Sequence, residues 1–144
     1  MELRAMFERV DEAGLDEGYL MMKQCYSGQF LNARSDQPNV DLMHRNGVRD
    51  PVVTAMGTAG KNDEATYSTT GPNGYGAYGY HFVAALAGTY PNGTVISSSA
   101  VDLNANGNVS WAEAHVYAIR REQFARAGYE HPQYAGSSSA APGN

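Results

Sequence analysis

The order of the predicted elements indicates an α/β fold built on a mainly parallel sheet. Two short, largely apolar segments, at 18–24 and 51–56, are typical of buried strands. Helical patterns precede the first segment, follow the second and recur near the C-terminus. Because two strands are too few for a self-standing sheet of this type, we expect the chain to be part of a larger domain.

Three helices and a tail are predicted from apolar spacing and composition. The first has apolar residues at i, i+3, i+4 and i+7, namely Leu3, Met6, Phe7 and Val10. The second covers 78–86 and stops at Gly88, and the third runs from about 111 to 127. Between these two helices we expect a loop over 89–101. Residues 135–144 are rich in Gly, Ser, Ala and Pro and are predicted to be disordered.

Charge and hydropathy exclude two classes of partner. The formal charge of the 144 residues is −5 and no basic stripe is present, which argues against nucleic acid. No apolar run approaches the roughly 20 residues needed to cross a membrane, so no membrane segment is expected. The compartment, cytoplasmic or secreted, stays open.

The single cysteine lies in a turn just beyond the first predicted strand. Cys25 is followed by Tyr26, Ser27 and Gly28, and small residues leave backbone N–H groups able to face a developing oxyanion. A lone cysteine is more often a buried structural residue. Reactive groups in open α/β sheets, however, sit beyond the carboxyl ends of strands, and this position favours a nucleophile.

The segment 23–30, KQCYSGQF, resembles the nucleophile segment of caspase-fold cysteine peptidases, especially bacterial legumain-like and metacaspase-like members. The resemblance continues at 52–56 and 63–67, which look like the next strand and its substrate loop, and at 130–134. It implies that residues 1–134 are the C-terminal part of a caspase-like peptidase domain, whose fold is a three-layer sandwich with a mainly parallel sheet. It also implies that Cys25 is the nucleophile and that the partner is a peptide or protein substrate.

The same resemblance suggests two substrate-binding residues. Lys23 stands two positions before the nucleophile, where the family lines its primary specificity pocket, and Glu64 lies in the substrate loop. A cation at position 23 would favour an acidic residue before the scissile bond. Alternatively, Lys23 only pairs with a nearby carboxylate such as Asp63 or Glu64, and both interpretations remain open.

The catalytic histidine of the family has no counterpart at the matching place. In caspases this base lies roughly 50 residues upstream of the cysteine. Only 24 residues precede Cys25 and none is histidine; the four histidines that follow are His44, His81, His115 and His131. We therefore expect the base to lie outside this chain, in a missing N-terminal half, and the chain alone to be inactive. Both a truncated gene product and a processed subunit of a larger enzyme would agree with this expectation.

The segment 102–113, DLNANGNVSWAE, matches the calcium-loop pattern D-x-[DN]-x-[DN]-G-x5-E at every fixed position. Gly107 permits the sharp turn at loop position 6, and Glu113 at position 12 can bind an ion through both oxygens. The predicted Ca²⁺ ligands are Asp102, Asn104, Asn106, the Asn108 backbone carbonyl and Glu113.

A second interpretation of the same loop requires no metal. Ser110 and Glu113 form the pattern of a capping box, in which each side chain bonds the other residue's backbone at a helix start.

With only two carboxylates, we expect a weak, structural calcium site. The function predicted is that of a cysteine endopeptidase fragment, and the alternatives are a non-catalytic calcium-binding module or an inactive peptidase homologue.

Overall fold

A computed structural model describes residues 9, 12–14, 18–23, 25, 27, 53–58 and 77–135 of the chain. The strands in this part are β1 (Gly18–Met22), β2 (Val53–Thr58) and β3 (Gln133–Ala135). The helices are α1 (Ala77–Ala87), α2 (Ser98–Val101), α3 (Trp111–Arg121) and α4 (Gln123–Arg126).

The sheet has the strand order β1–β2–β3. β1 pairs with β2 in parallel, with Leu20 opposite Met56, and the register is irregular between Gly18 and Tyr19. β3 adds to the other side of β2 in the antiparallel sense, with Tyr134 opposite Gly57. Since β1 and β2 are parallel, their carboxyl ends lie at the same edge of the sheet.

The predicted fold class is wrong for the described residues. They are mainly helical, and their sheet has three short strands, of which one pair is parallel and one antiparallel. Both strands expected from the sequence form, but β3 was not expected. A mainly parallel sandwich needs several strands covered by helices on both faces. Here, instead, most of the buried apolar residues in the described part of the chain belong to α1 and α3.

The core lies between α1 and α3, which make the most extensive contacts of any two elements. Phe82 of α1 is 1 % exposed, and its ring meets that of Trp111 edge-on at 5.0 Å. Trp111 also contacts the ring of Tyr19 in β1, at 5.2 Å, so it joins the helices to the sheet. Residues that complete the buried cluster include Tyr78, Ala85, Ile96, Val101, Ala114, Tyr117 and Ala118.

The helices agree with the sequence prediction except at two places. α1 ends at Gly88, whose φ of 69° is one that glycine adopts readily. The predicted continuous helix to residue 127 is broken at Glu122, which is extended and fully buried. Its carboxylate accepts from the backbone N–H groups of Phe124, at 2.7 Å, and Ala125, and so begins α4. The predicted loop 89–101 contains the short helix α2.

Two predictions concern residues outside the described part. Of the first predicted helix, Arg9 and Glu12 are described and are helical, whereas its apolar positions are not described. The predicted tail begins at Ala135, which instead ends β3, and 136–144 lie outside the described residues. In the described ranges, no helix is long and apolar enough to cross a membrane.

Candidate calcium loop and cysteine turn

The segment 102–113 folds into a tight loop around its own side-chain oxygens. Asp102 accepts from the backbone N–H of Asn106 through Oδ1, at 3.1 Å, and from that of Gly107 through Oδ2, at 2.8 Å. Two left-handed residues allow this turn, namely Ala105 with φ 57° and Gly107 with φ 89°. The Asp102 carboxylate therefore lies against the backbone at loop positions 5 and 6.

The two asparagines at loop positions 3 and 5 reinforce the same turn. Asn104 Oδ1 accepts from Asn106 N at 3.0 Å, and Asn106 Oδ1 accepts from Asn108 N at 2.9 Å. Such bonds to the backbone two residues ahead are typical of Asx turns. The side-chain oxygens at positions 1, 3 and 5 are thus all bonded to the backbone amides of 106–108.

Glu113 ties the loop to the first turn of α3. Its Oε2 accepts from the backbone N–H of Ser110, at 2.9 Å, and from the Ser110 hydroxyl, at 2.8 Å. Ser110 Oγ in turn accepts from Glu113 N at 3.1 Å, which completes the capping box. Oε1 accepts from the backbone N–H groups of Leu103, at 2.8 Å, and Asn104, at 3.1 Å. The start of the loop and the start of the helix therefore share one buried carboxylate.

The charge of Glu113 is stabilised by these bonds. Burial raises the pKa of its carboxyl. Hydrogen bonds lower this pKa by more than burial raises it, and they come from the N–H and O–H groups of Ser110 and the N–H groups of Asn104 and Leu103. The net result is a lowered pKa, so Glu113 is ionised at neutral pH. The loop therefore presents a carboxylate at position 12, as cation binding requires.

The donor set fits Ca²⁺, provided that Glu113 exchanges some of its hydrogen bonds for the ion. Asp102 uses one hydrogen bond per carboxylate oxygen, and each asparagine oxygen accepts one bond, so these oxygens keep lone pairs for a cation. Glu113 already accepts four hydrogen bonds, which occupies about all of its lone-pair sites. It can bind an ion through both oxygens only by giving up some of them.

In the part of the chain that the structure describes, no three His, Cys, Asp or Glu side chains converge. The candidate calcium site does not depend on such a cluster. Of its ligands, only Asp102 and Glu113 are carboxylates, and the other oxygens belong to asparagine side chains and the backbone.

Cys25 is exposed and lies three residues beyond Met22, the end of β1. Lys23 is also exposed, while Ser27 is 1 % exposed. This placement agrees with a cysteine at the carboxyl edge of a parallel strand pair. Of the predicted substrate residues, Lys23 lines a cavity beside α1, and Glu64 lies outside the described residues.

Two of the described histidines, His81 and His115, take part in packing. His81 Nδ1 lies 2.8 Å from the Tyr90 hydroxyl. His115 Nδ1 lies 2.9 Å from the Tyr78 hydroxyl, and its ring stacks on Tyr134 at 5.5 Å between centroids. His131 is exposed, and His44 lies outside the described residues.

Sequence reasoning missed a hydrogen-bonded set of aromatic residues that joins α1, the following turn and α3. The Tyr90 hydroxyl bonds both His81 Nδ1 and the Tyr117 hydroxyl, the latter at 3.0 Å, and Arg121 lies over the Tyr117 ring. The signal available was the unusual number of tyrosines, 10 in 144 residues. Which of them meet was not readable, since His81 and Tyr117 are far apart in sequence.

No protein-family model, no curated protein and no solved structure matches this chain.

Proposed function

We propose that the loop Asp102–Glu113 binds Ca²⁺ at a structural site. The ligands are the side chains of Asp102, Asn104, Asn106 and Glu113 with the backbone carbonyl of Asn108. One observation carries the proposal: the side chains at loop positions 1, 3 and 5 bond to one short run of backbone amides. They do so in a turn with left-handed residues at positions 4 and 6, which holds the three side chains on one short stretch of backbone.

The bound ion would hold the loop against the start of α3. Glu113 already connects Leu103 and Asn104 to the helix N-terminus, and a cation shared with Asp102 would strengthen that connection. Affinity is limited by two features, namely the presence of only two carboxylates and the hydrogen bonds that Glu113 must exchange. We expect a dissociation constant on the order of 0.1–1 mM, as in extracellular calcium modules.

Calorimetric titration with Ca²⁺ tests the site. Wild type should bind in this range, and Asp102→Ala should abolish binding. Asn104→Asp adds a third carboxylate and should tighten binding about tenfold, because affinity rises with ligand charge. Asn92→Asp makes the same chemical change at an exposed turn outside the loop, where the side chain already accepts from Thr94 N, and should leave the affinity unchanged.

Two results would contradict the proposal. One is wild-type protein that shows neither heat nor a thermal shift at about ten times the expected dissociation constant. The other is an Asp102→Ala protein that binds as well as wild type, which would place the ligands elsewhere.

A second candidate function is that of a cysteine endopeptidase fragment with Cys25 as nucleophile. It is favoured by the exposure of Cys25 just beyond the carboxyl end of β1, together with the resemblance of 23–30 to a caspase-like nucleophile segment. His81 and His115 are engaged in packing, and His44 and His131 lie downstream of Cys25, whereas the family's base lies upstream; the resemblance therefore implies that the base is supplied from outside the 144 residues. Its partners would be a peptide or protein substrate and the part of the enzyme that holds the base, with no role for nucleic acid.

An assay with mixed peptide substrates, with and without calcium, tests this second function. The chain alone should show no turnover, whereas iodoacetamide should label Cys25, as read by mass spectrometry. Turnover that disappears in Cys25→Ala would show that the base lies within the chain and would point to His44. A thiol that resists labelling in the folded protein would argue against a nucleophile.

A further inference from the structure

A concave cavity of about 440 Å³ lies between the end of β1, one side of α1 and the turn after α1. Its volume falls within the range of roughly 300–1,000 Å³ typical of small-molecule sites. It is also about three times the volume of an apolar cavity that holds one benzene molecule. The cavity therefore has room for a molecule of two or three rings.

The wall formed by α1 and the end of β1 is apolar. Its residues are Met21, Val83, Ala84 and Ala87. Val83 is 54 % exposed, and an exposed large apolar residue in a concave wall is typical of binding sites. Lys23 adds the aliphatic part of its side chain, which lies so close to α1 that a Cβ added at Gly79 would be 2.8 Å from Lys23 Cδ.

The aromatic side of the cavity is preformed. Tyr80 and Tyr90 stack with centroids 5.1 Å apart and an interplanar angle of 29°. The Tyr90 hydroxyl is fixed by His81 and Tyr117, and the Tyr90 backbone N–H donates to Thr94 O at 2.9 Å. A ligand would therefore meet an ordered aromatic surface, and little conformational entropy would be lost on binding.

The polar side chains that line the cavity are already engaged. The Thr89 hydroxyl donates to the backbone carbonyls of Tyr90, at 3.3 Å, and Thr94, at 3.2 Å. The Tyr90 hydroxyl has the two partners named above, and Lys23 and Tyr80 take part in interactions of their own. A charged ligand would give up its bonds to water for a cavity whose polar side chains are committed elsewhere, which is unfavourable. A neutral, mainly apolar ligand avoids this loss.

We propose that this cavity binds a small neutral aromatic molecule. One ring of the ligand contacts the Tyr80–Tyr90 pair, and the rest of its apolar surface contacts Val83 and Ala87. Contacts between aromatic rings are favourable beyond the area that they bury, so an aromatic ligand is preferred to an aliphatic one of the same size. The site is separate from the calcium loop, and it requires neither calcium, nor the chemistry of Cys25, nor the charge of Lys23.

A matched pair of fluorescent probes tests the proposal. N-phenyl-1-naphthylamine is neutral, and 8-anilino-1-naphthalenesulfonate has the same three rings with an added sulfonate. The full chain is titrated into a fixed, low concentration of each probe. The neutral probe should bind with a dissociation constant of about 0.2 mM or lower, as expected for a ligand of this size, and about fivefold more tightly than the sulfonate.

Substitutions on the two sides of the cavity locate the bound probe. Val83→Trp fills the cavity and Val83→Asp puts a carboxylate on its wall, and each should weaken binding of the neutral probe at least about tenfold. Tyr80→Leu keeps the wall apolar but removes one of the stacked rings, and should weaken binding about fivefold. Val95→Asp, at a 78 % exposed position outside the cavity, should bind the probe as wild type does. Circular dichroism establishes that each variant is folded.

Each alternative outcome overturns the proposal. No saturable rise in fluorescence up to about 1 mM protein would exclude a site for this class of ligand. Unchanged affinity in both Val83 variants would place the probe elsewhere, and unchanged affinity in Tyr80→Leu would remove the aromatic contact. Binding of the sulfonate as tight as that of the neutral probe would exclude selection for a neutral ligand. A concentration-dependent dimer that Val83→Asp disrupts would show that a second copy of the chain occupies the cavity.

Discussion

His115 shows how a single side chain can make the stability of the fold depend on pH. It lies between Tyr78, which hydrogen-bonds its Nδ1 at 2.9 Å, and Tyr134, which stacks on its ring. Burial lowers the pKa of His115 to about 4, from its usual value of 6.5. The folded protein therefore holds this imidazole neutral over a pH range in which the unfolded chain binds a proton.

This difference predicts a loss of stability in mild acid. Between about pH 6.5 and about pH 4 the unfolded state binds more protons at His115, so the free energy of unfolding falls as the pH falls. The contribution is at most about 3 kcal/mol across this window. Urea unfolding of wild type and His115→Phe at a series of pH values measures it. The variant loses the bond to Tyr78 and should be less stable throughout, but with a flatter pH profile.

An NMR titration supplies an independent control. The His115 ring signals should shift at a pH near 4, independently of the unfolding measurement. A His115 ring that titrates at its usual value would contradict the expectation.

At the scale of elements, the loop 102–113 carries backbone strain at one position and avoids it at another. Ala105 has φ 57°, which is unfavourable for a residue with a Cβ, whereas Gly107 has φ 89°, which glycine adopts readily. A Cβ added to Gly107 would meet no atom within 4 Å. The energy difference between glycine and alanine at position 107 therefore comes from the local backbone conformation and not from a clash with neighbouring residues.

Opposite substitutions at these two positions should have opposite effects. Ala105→Gly should raise the free energy of unfolding by about 0.5 kcal/mol, because the relieved strain exceeds the extra entropy of an unfolded glycine. Gly107→Ala should lower it by about 1–2 kcal/mol. Denaturant unfolding in chelator measures both without the influence of calcium. Equal destabilisation by the two changes would mean that the loop does not hold this backbone conformation.

At the scale of the whole molecule, the contact between α1 and α3 forms the core of the described residues. The ring of Phe82 contacts those of Trp111, at 5.0 Å, and Tyr78, at 5.5 Å between centroids. Trp111 also reaches Tyr19, so loss of the Phe82 ring should loosen both the helix pair and its contact with β1.

We expect Phe82→Ala to destabilise the protein by about 3–5 kcal/mol, the usual cost of removing a buried aromatic ring. Trp111 is the single tryptophan, so its fluorescence reports the transition directly. Val95→Ala, at a position 78 % exposed, is the matched control and should change stability by less than about 0.5 kcal/mol. A Phe82→Ala protein as stable as the control would show that the core lies elsewhere.

Local patterns in the sequence determined much of the local structure. Four-residue spacing and a following glycine were enough to place α1, and short apolar runs were enough to place β1 and β2 near their observed bounds. The spacing of Ser110 and Glu113 likewise predicted a capping box at the start of α3, because its bonds join residues only three positions apart.

Contacts between distant residues were decided only by the tertiary structure. β3 pairs with β2 across about 75 residues, and such a short strand has no periodicity to reveal it; without it the sheet was expected to be mainly parallel. The helix breaks at Glu122 because its buried carboxylate accepts hydrogen bonds from backbone N–H groups. The residues around Glu122 favour a helix, so the sequence pattern predicts no break there. The cavity beside Lys23 likewise exists because β1, α1 and the turn at Tyr90 come together in space, which no local pattern encodes.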